Sequence, residues 1–287
     1  MTVIDLIKSS TLPRPEINLL VAFILQKEIS FLLTHPETKI HQNIYLKFKR
    51  LEEKRKEGFS IAALSGEKEF YGLKFKVNKN VLIPRPETEM IVDIILEKYQ
   101  KIKTKNKYAL IDIGTGSGAI ILACASNLKK ENPDSFKETD FLALDISRPA
   151  LKIAKENAIR QKMAKKIKFF QGNLLAPLKN QPQDKDLIIC ANLPYLTKKQ
   201  ISTAPSIQKE PILALDGGKD GLKYYIELFR QLKISGYKSL FLVCEIDPTQ
   251  AIKISKAAKL ISNTIKTTIK KDYNKKNRFI IFEDSLI

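Results

Sequence analysis

The chain has 287 residues, 44% of them hydrophobic, and carries 50 Lys and Arg against 31 Asp and Glu, a formal charge of +19. That length holds one large or two ordinary domains, and the composition excludes a disordered, fibrous or low-complexity chain. Cys124, Cys190 and Cys244 stand singly in apolar stretches rather than in C-x-x-C pairs, so they read as core residues of a reducing compartment and not as zinc ligands or disulfides.

In chain order, Asp5, Lys8, Arg14 and Glu16 interrupt any signal peptide, and the apolar run Leu19 to Leu25 falls far short of the roughly 20 residues that a membrane span needs. The expectation is a cytoplasmic protein with no membrane partner. From Ile17 to Leu33 apolar residues recur at helical spacing until Pro36 ends the run, and a second helical stretch, Leu46 to Glu57, closes at Gly58. With the short apolar turn Phe59 to Leu64, these form a helical unit over residues 1–66. His35 and His41 read there as surface or local capping groups. Between Glu69 and Ile83 short apolar segments around Gly72 and Asn78-Lys79-Asn80 predict a β-hairpin linker, residues 67–84.

Residues 85–287 alternate strand and helix. Strands are predicted at Ala109 to Ile113, Phe141 to Asp145, Ile167 to Phe170, Leu187 to Ala191, Ser239 to Glu245 and Phe279 to Phe282, the last two as an antiparallel pair at the sheet edge. Helices are predicted at Met90 to Tyr99, Ala119 to Leu128, Ala150 to Arg160, Leu222 to Leu232 and Gln250 to Ile261. The fold class is therefore α/β, a doubly wound, mostly parallel sheet covered on both faces by helices. Only eight of the basic residues are arginine, so the charge reads first as solvated surface lysine, with attraction to nucleic acid as the alternative.

Two motifs carry chemistry. Asp112-Ile113-Gly114-Thr115-Gly116-Ser117-Gly118 follows the first strand and opens a helix, the place where α/β sheets bind nucleotides. The spacing also satisfies the dinucleotide fingerprint, which leaves NAD open on this motif alone. Asp145, ending the second strand, offers a carboxylate to both hydroxyls of a ribose, and Ser147 a cap for the next helix. Asp112 would repel a diphosphate, which tilts the choice toward a cationic nucleoside such as S-adenosyl-L-methionine, oriented by that carboxylate through water or backbone. Asn192-Leu193-Pro194-Tyr195 follows the fourth strand, at the same sheet edge. The Asn side-chain carbonyl and a neighbouring backbone carbonyl can accept two N–H bonds from an amide or amino group, and Tyr195 offers a flat face for stacking. Such acceptors serve N-methylation, because a delocalised lone pair is a poor nucleophile.

The motifs together resemble the protein-(glutamine-N5) methyltransferases that modify peptide-chain release factors. The likeness runs through Thr34-His35-Pro36-Glu37, the stretch Phe70 to Val77, Leu82-Ile83-Pro84-Arg85-Pro86-Glu87-Thr88-Glu89, the glycine turn, Glu210-Pro211 and Ala214 to Leu222. It implies a seven-stranded methyltransferase domain over residues 85–287 and a helical substrate-docking domain over residues 1–66. The residues implied to hold S-adenosyl-L-methionine are Asp112, Gly114, Thr115, Gly116, Ser117, Gly118, Asp145 and Asn192, with Gly172, Asn173 and Leu174 beside the adenine. Asn192, Leu193, Pro194 and Tyr195 would hold the substrate glutamine, which the family finds in the Gly-Gly-Gln loop of class I release factors.

The chain departs from the family at Leu193, usually proline, and at Asn173, usually aspartate. Asn-Leu-Pro-Tyr is similar too to the motif of rRNA adenine dimethyltransferases, which sustains an RNA or DNA amino-group methyltransferase as the rival reading. A non-catalytic RNA-binding factor and an NAD oxidoreductase stand behind it. No metal is expected, nucleic acid is not required although RNA contact stays open, and a monomer is expected. Arg85 and Glu87 read as a structural ion pair, Glu210 and Asp220 as loop anchors, and Glu245 as a plain surface carboxylate.

Overall fold

The computed structural model describes residues 1–102, 107–179, 185–235, 237 and 239–285, the side chains of Ser206 and Ser285 excepted. The chain divides into two compact units, Met1–Glu67 with Pro205–Lys209, and Lys68–Ala204 with Glu210–Ile287.

The first unit is helical. α1 (Val3–Lys8) opens with a capping box in which the Thr2 side chain accepts from the Asp5 amide and the Asp5 side chain accepts from the Thr2 amide. The long helix expected from Ile17 to Leu33 is two helices, α2 (Arg14–Leu25) and α3 (Ile29–Thr34). Gln26 caps α2 in the left-handed conformation, at φ 54°, and the polar triplet Gln26, Lys27, Glu28 turns the chain. Periodicity ran on across the break because Ile17, Leu20, Val21, Ile24 and Leu32 enter one core with Phe48 of α4 (Gln42–Lys56). α5 (Ile61–Ser65) follows. Of the two histidines, His35 caps α3 and stacks on Phe31 with ring centroids 4.4 Å apart, while His41 precedes α4 without capping it through its side chain.

β1 (Glu67–Phe70) and β2 (Leu73–Lys76) form the hairpin. Its two turn residues, Tyr71 and Gly72, both have positive φ, the geometry that matches the right-handed twist of a hairpin. Then come α6 (Glu89–Lys101), β3 (Tyr108–Ile113), α7 (Ala119–Glu131), α8 (Pro133–Glu138), β4 (Thr139–Asp145), α9 (Arg148–Arg160), β5 (Ile167–Gln171), β6 (Asp186–Ala191), α10 (Lys198–Ser202), α11 (Lys223–Ser235), β7 (Ser239–Glu245), α12 (Ala251–Ala257), β8 (Lys266–Lys271) and β9 (Asn277–Ser285).

The seven-stranded sheet has the order β5-β4-β3-β6-β7-β9-β8, with β9 antiparallel to both its neighbours. The expected antiparallel pair of β7 and β9 is present, but the edge of the sheet is β8, a strand of mostly polar, exposed residues that no strand prediction covers. Along the strands side chains alternate between two cores. Leu110, Phe141, Ile188 and Val243 face α6 and α7, while Ile111, Leu144, Ile189 and Leu242 face α11 and α12. All three cysteines are buried in these cores, and burial pushes their thiols up from the ordinary range. The order of strands reverses beside β3, where β4 lies on one side and β6 on the other, and ligands of open α/β sheets bind at that switch. No helix among the described residues is long and apolar enough to cross a membrane.

Candidate active site

Register puts the two motifs side by side. Ile113 pairs with Ala191 at the ends of the parallel strands β3 and β6, so the next residues, Gly114 and Asn192, leave the sheet together. A Cβ on Gly114 would come within 3.2 Å of Leu193 Cδ2 and 3.8 Å of the Asn192 carbonyl oxygen, which makes glycine the residue that lets the loops approach. The fold thus sets Asn192 and the Gly116 bend on one cavity, as the sequence reading required.

That cavity is walled by Gly114, Thr115, Gly116, Ser117, Asp145, Gly172, Asn173, Leu174, Asn192, Leu193 and Pro194 of the site residues expected from the sequence. Asp112, Gly118 and Tyr195 are not on its wall. Asp112 is 1% exposed beneath the turn, where it accepts from the Thr115 hydroxyl at 2.7 Å. Burial pushes its carboxyl up to about 6, against the lowering pull of that hydrogen bond. Gly118 caps α7, its amide donating to the Thr115 carbonyl.

Asp145 does more than the reading from sequence assigned to it. Its Oδ2 accepts from the Gly116 amide at 2.9 Å and its Oδ1 from the Ser147 amide at 2.8 Å, so the carboxylate shapes the glycine turn as well as standing on the cavity wall. Burial holds its carboxyl above the usual aspartate range despite those two bonds. Ser147 caps α9 as expected, accepting from Ala150. Leu174, also on the cavity wall, sits in the left-handed region at φ 52°, an uncommon conformation for a leucine that the Leu175 amide helps to hold by donating to Gln231 Oε1 at 2.8 Å.

The Asn192 loop is braced from behind by Thr88, Glu245 and its own Tyr195, and of these the sequence motifs assign only Tyr195 to the site. Asn192 Nδ2 donates to Glu245 Oε2 at 3.0 Å and to Thr88 Oγ1 at 3.2 Å. Thr88 donates to the same Glu245 oxygen at 2.6 Å, and the Tyr195 hydroxyl donates to Glu245 Oε1 at 3.1 Å. Glu245 is 2% exposed, so the expectation of a surface carboxylate is corrected: at the end of β7 it lies between β6 and β9, beneath the Asn192 loop. Tyr195, read as a stacking face, is a strut in this arrangement, and burial raises its hydroxyl above the usual phenol range. The Tyr225 hydroxyl reaches the backbone carbonyls of Leu193 and Glu245.

A second brace explains the glycine-rich stretch around residue 217. Leu196 donates its amide to Leu215, Gly217 returns a bond to Leu196 at 2.8 Å, and Gln250 Nε2 donates to the Tyr195 carbonyl at 2.8 Å. At Gly221, φ +74°, a Cβ would lie 2.1 Å from the Tyr195 oxygen, so no larger residue fits. Glu210 is a loop anchor, accepting from the Ile83 amide at 3.1 Å and pairing with Arg85. Arg85 therefore pairs with Glu210 and not with Glu87. Asn157 ties the hairpin to the turn: it exchanges hydrogen bonds with the Lys76 backbone and donates to the Ser117 carbonyl at 2.8 Å.

Electrostatics narrow the ligand. Among the described residues on the cavity wall Asp145 is the only charged one, in a chain with 50 lysines and arginines. A diphosphate would find no cation there, whereas a cationic nucleoside meets one carboxylate and an apolar surface that includes Ile146, Leu174 and Leu213. A Cβ on Gly116 would meet nothing nearer than 3.9 Å, which leaves the turn open to a ligand lying against its backbone. The residues present thus fit S-adenosylmethionine and not NAD.

Comparison with known proteins agrees with this geometry. Residues 104–279 match a family model described as a methyltransferase domain. The release factor glutamine methyltransferase of Bacillus subtilis is 35% identical over 266 residues, covering 92% of this chain and 88% of that protein. The protein of the same name from Dictyoglomus turgidum is 36% identical over 244 residues, 81% of this chain and 78% of that one. Among solved structures, the N-terminal domain of human METTL16 in complex with SAH shares the fold, with a TM-score of 0.51 at 18% identity over 93% of this chain and 94% of that one. With a third or more of its residues shared with these relatives over most of its length, the chain belongs to the release factor glutamine methyltransferase family.

Proposed function

We infer that the protein transfers a methyl group from S-adenosyl-L-methionine to the side-chain amide nitrogen of a glutamine in a peptide-chain release factor. Membership of the family supports the reaction and its substrate class. We assign the glutamine to the Gly-Gly-Gln loop of class I release factors, the helical residues 1–66 to docking that partner, and the site of action to the cytoplasm, with the protein working as a monomer.

S-adenosylmethionine, when bound, supplies an electrophilic methyl group on a sulfonium. The glycine turn Gly114 to Ser117 and Asp145 would hold it, with Asn173 and Leu174 beside its base. The Nδ2 end of Asn192 donates to Glu245 and Thr88 inside the protein, and its Oδ1 is therefore the group that receives a proton donor from the cavity. Accepting an N–H of the substrate carboxamide fixes the nitrogen and favours the charge it gains on methylation. That acceptor, fixed before the substrate arrives, is the observation that carries the reading, since preorganised partners aimed at developing charge supply much of an enzyme's acceleration. No side-chain base is needed beforehand, because the amide becomes acidic only as it becomes positive.

The test is direct. With labelled methyl donor, the protein is expected to label a class I release factor at one glutamine and to leave rRNA and DNA unlabelled. Label in nucleic acid alone would replace this reading with amino-group methylation of nucleic acid.

A further inference from the structure

We propose that Glu245 is a positioning residue, which locks the carboxamide of Asn192 in the one orientation that turns its oxygen toward the substrate. The inference rests on the function proposed above and deepens it.

Proton donors and acceptors around Asn192 fix the orientation. Thr88 has one hydroxyl proton and gives it to Glu245 Oε2 at 2.6 Å, so toward Asn192 it is an acceptor only. A carboxylate is likewise an acceptor only. Both partners within reach of the Asn192 amide end, at 3.0 and 3.2 Å, therefore demand an N–H donor, and of the two ends of the carboxamide only Nδ2 carries one. Turned the other way, Asn192 would set Oδ1 against Oε2 with no proton between them. Leaving a carboxylate oxygen buried against a second acceptor is among the costlier faults a protein interior can hold. The Tyr195 hydroxyl satisfies the other oxygen of Glu245, so among the described residues the side-chain donors to the carboxylate come from the loop it braces and from the segment before α6. The negative charge behind Nδ2 also polarises the amide toward Oδ1, which makes that oxygen a better acceptor.

The lock needs Glu245 ionised. The groups facing it are the Thr88, Tyr195 and Asn192 side chains, Arg278 of β9, itself 3.3 Å from Asp272, and Glu87 before α6. Burial raises the carboxyl above its ordinary value, Glu87 adds to that, and Thr88, Tyr195 and Arg278 oppose it. For a raised carboxyl whose charged form is required, turnover is complete at high pH and is lost as pH falls through the raised value, earlier than for an ordinary glutamate.

Kinetics and NMR on the full chain test this. E245Q is expected to bind S-adenosylmethionine within about twofold of the parent, while kcat falls roughly tenfold or more and its acid limb disappears. T88V is expected to lower kcat in the same direction, and T88S to restore most of what T88V loses. The side-chain amide protons of Asn192, read by NMR without any methyl acceptor, are expected to be protected from exchange in the parent and to lose protection in E245Q and T88V. That last readout separates the two proposals: protected protons with no label in a release factor would sink the function and leave the lock standing. Exchange equally fast in parent and variants, or an E245Q enzyme with parental kcat and acid limb, would overturn the lock. A kcat loss matched by an equal loss of S-adenosylmethionine affinity would overturn it too, because Glu245 would then be holding the fold and not one amide.

Discussion

The cavity has two walls of different construction. On one side the glycine turn is made of backbone, held by a residue from the next strand: Asp145 bonds the Gly116 amide directly. On the other, Asn192 is held by side chains from residues 88 and 245, far from it and from each other in the chain. A wall of backbone tolerates change in its side chains provided the dihedral angles survive. A wall of converging side chains fails when any member is lost. The first kind suits holding a ligand whose shape is fixed, the second suits aiming one atom at another.

The sharpest way to break this contrast is N192A. It should cost turnover roughly 100- to 1000-fold, about 3–4 kcal/mol of transition-state stabilisation, while calorimetry finds S-adenosylmethionine bound as before. A variant with parental turnover would take Asn192 out of the chemistry. G221A attacks the same wall without touching a reacting group. Its Cβ would fall 2.1 Å from the Tyr195 carbonyl at a φ of +74°, and urea denaturation should show a loss of about 2–4 kcal/mol. Normal stability would mean that the loop is free to move aside. D145A reports on the other wall: loss of a carboxylate that bonds backbone amides should weaken S-adenosylmethionine binding by roughly tenfold to a hundredfold. If binding is unchanged and only stability falls, Asp145 serves the turn alone. L193P should have the smallest effect, because the gain of about 0.4–1 kcal/mol from lost freedom in the unfolded chain is offset by the apolar burial that the core side chain of Leu193 gives up. Destabilisation would show that the Leu193 side chain, packed beside Gly114, does something proline cannot.

What could be read from the sequence follows the same division. Gly114, Gly116 and Asp145 are local signals, a strand followed by a turn and a strand ended by a carboxylate, and the sheet order brings such places together without help from any single side chain. The apolar strands were legible for the same reason, being buried on both faces. β8 was not, because Lys266 to Lys271 forms an edge strand with mostly polar, largely exposed side chains and shows no apolar alternation. Glu245 was misread because a carboxylate ending a strand looks alike whether solvent or a threonine, an asparagine and a tyrosine surround it. Only the fold reveals that Thr88 lies beside it. Asn157, inside α9, was equally silent, since its partners belong to the hairpin and the glycine turn.

The span of that asparagine's support sets an order of events during synthesis. Asn192 leaves the ribosome 53 residues before Glu245, and Thr88 leaves 157 residues before it, a lag of roughly 10–30 s at ordinary rates of elongation. Until β7 emerges the carboxamide lacks the carboxylate that accepts from its Nδ2 and from Thr88, even where the nucleoside-binding turn is already translated. The hydrogen bonds that aim this carboxamide are therefore completed by a carboxylate made late in synthesis.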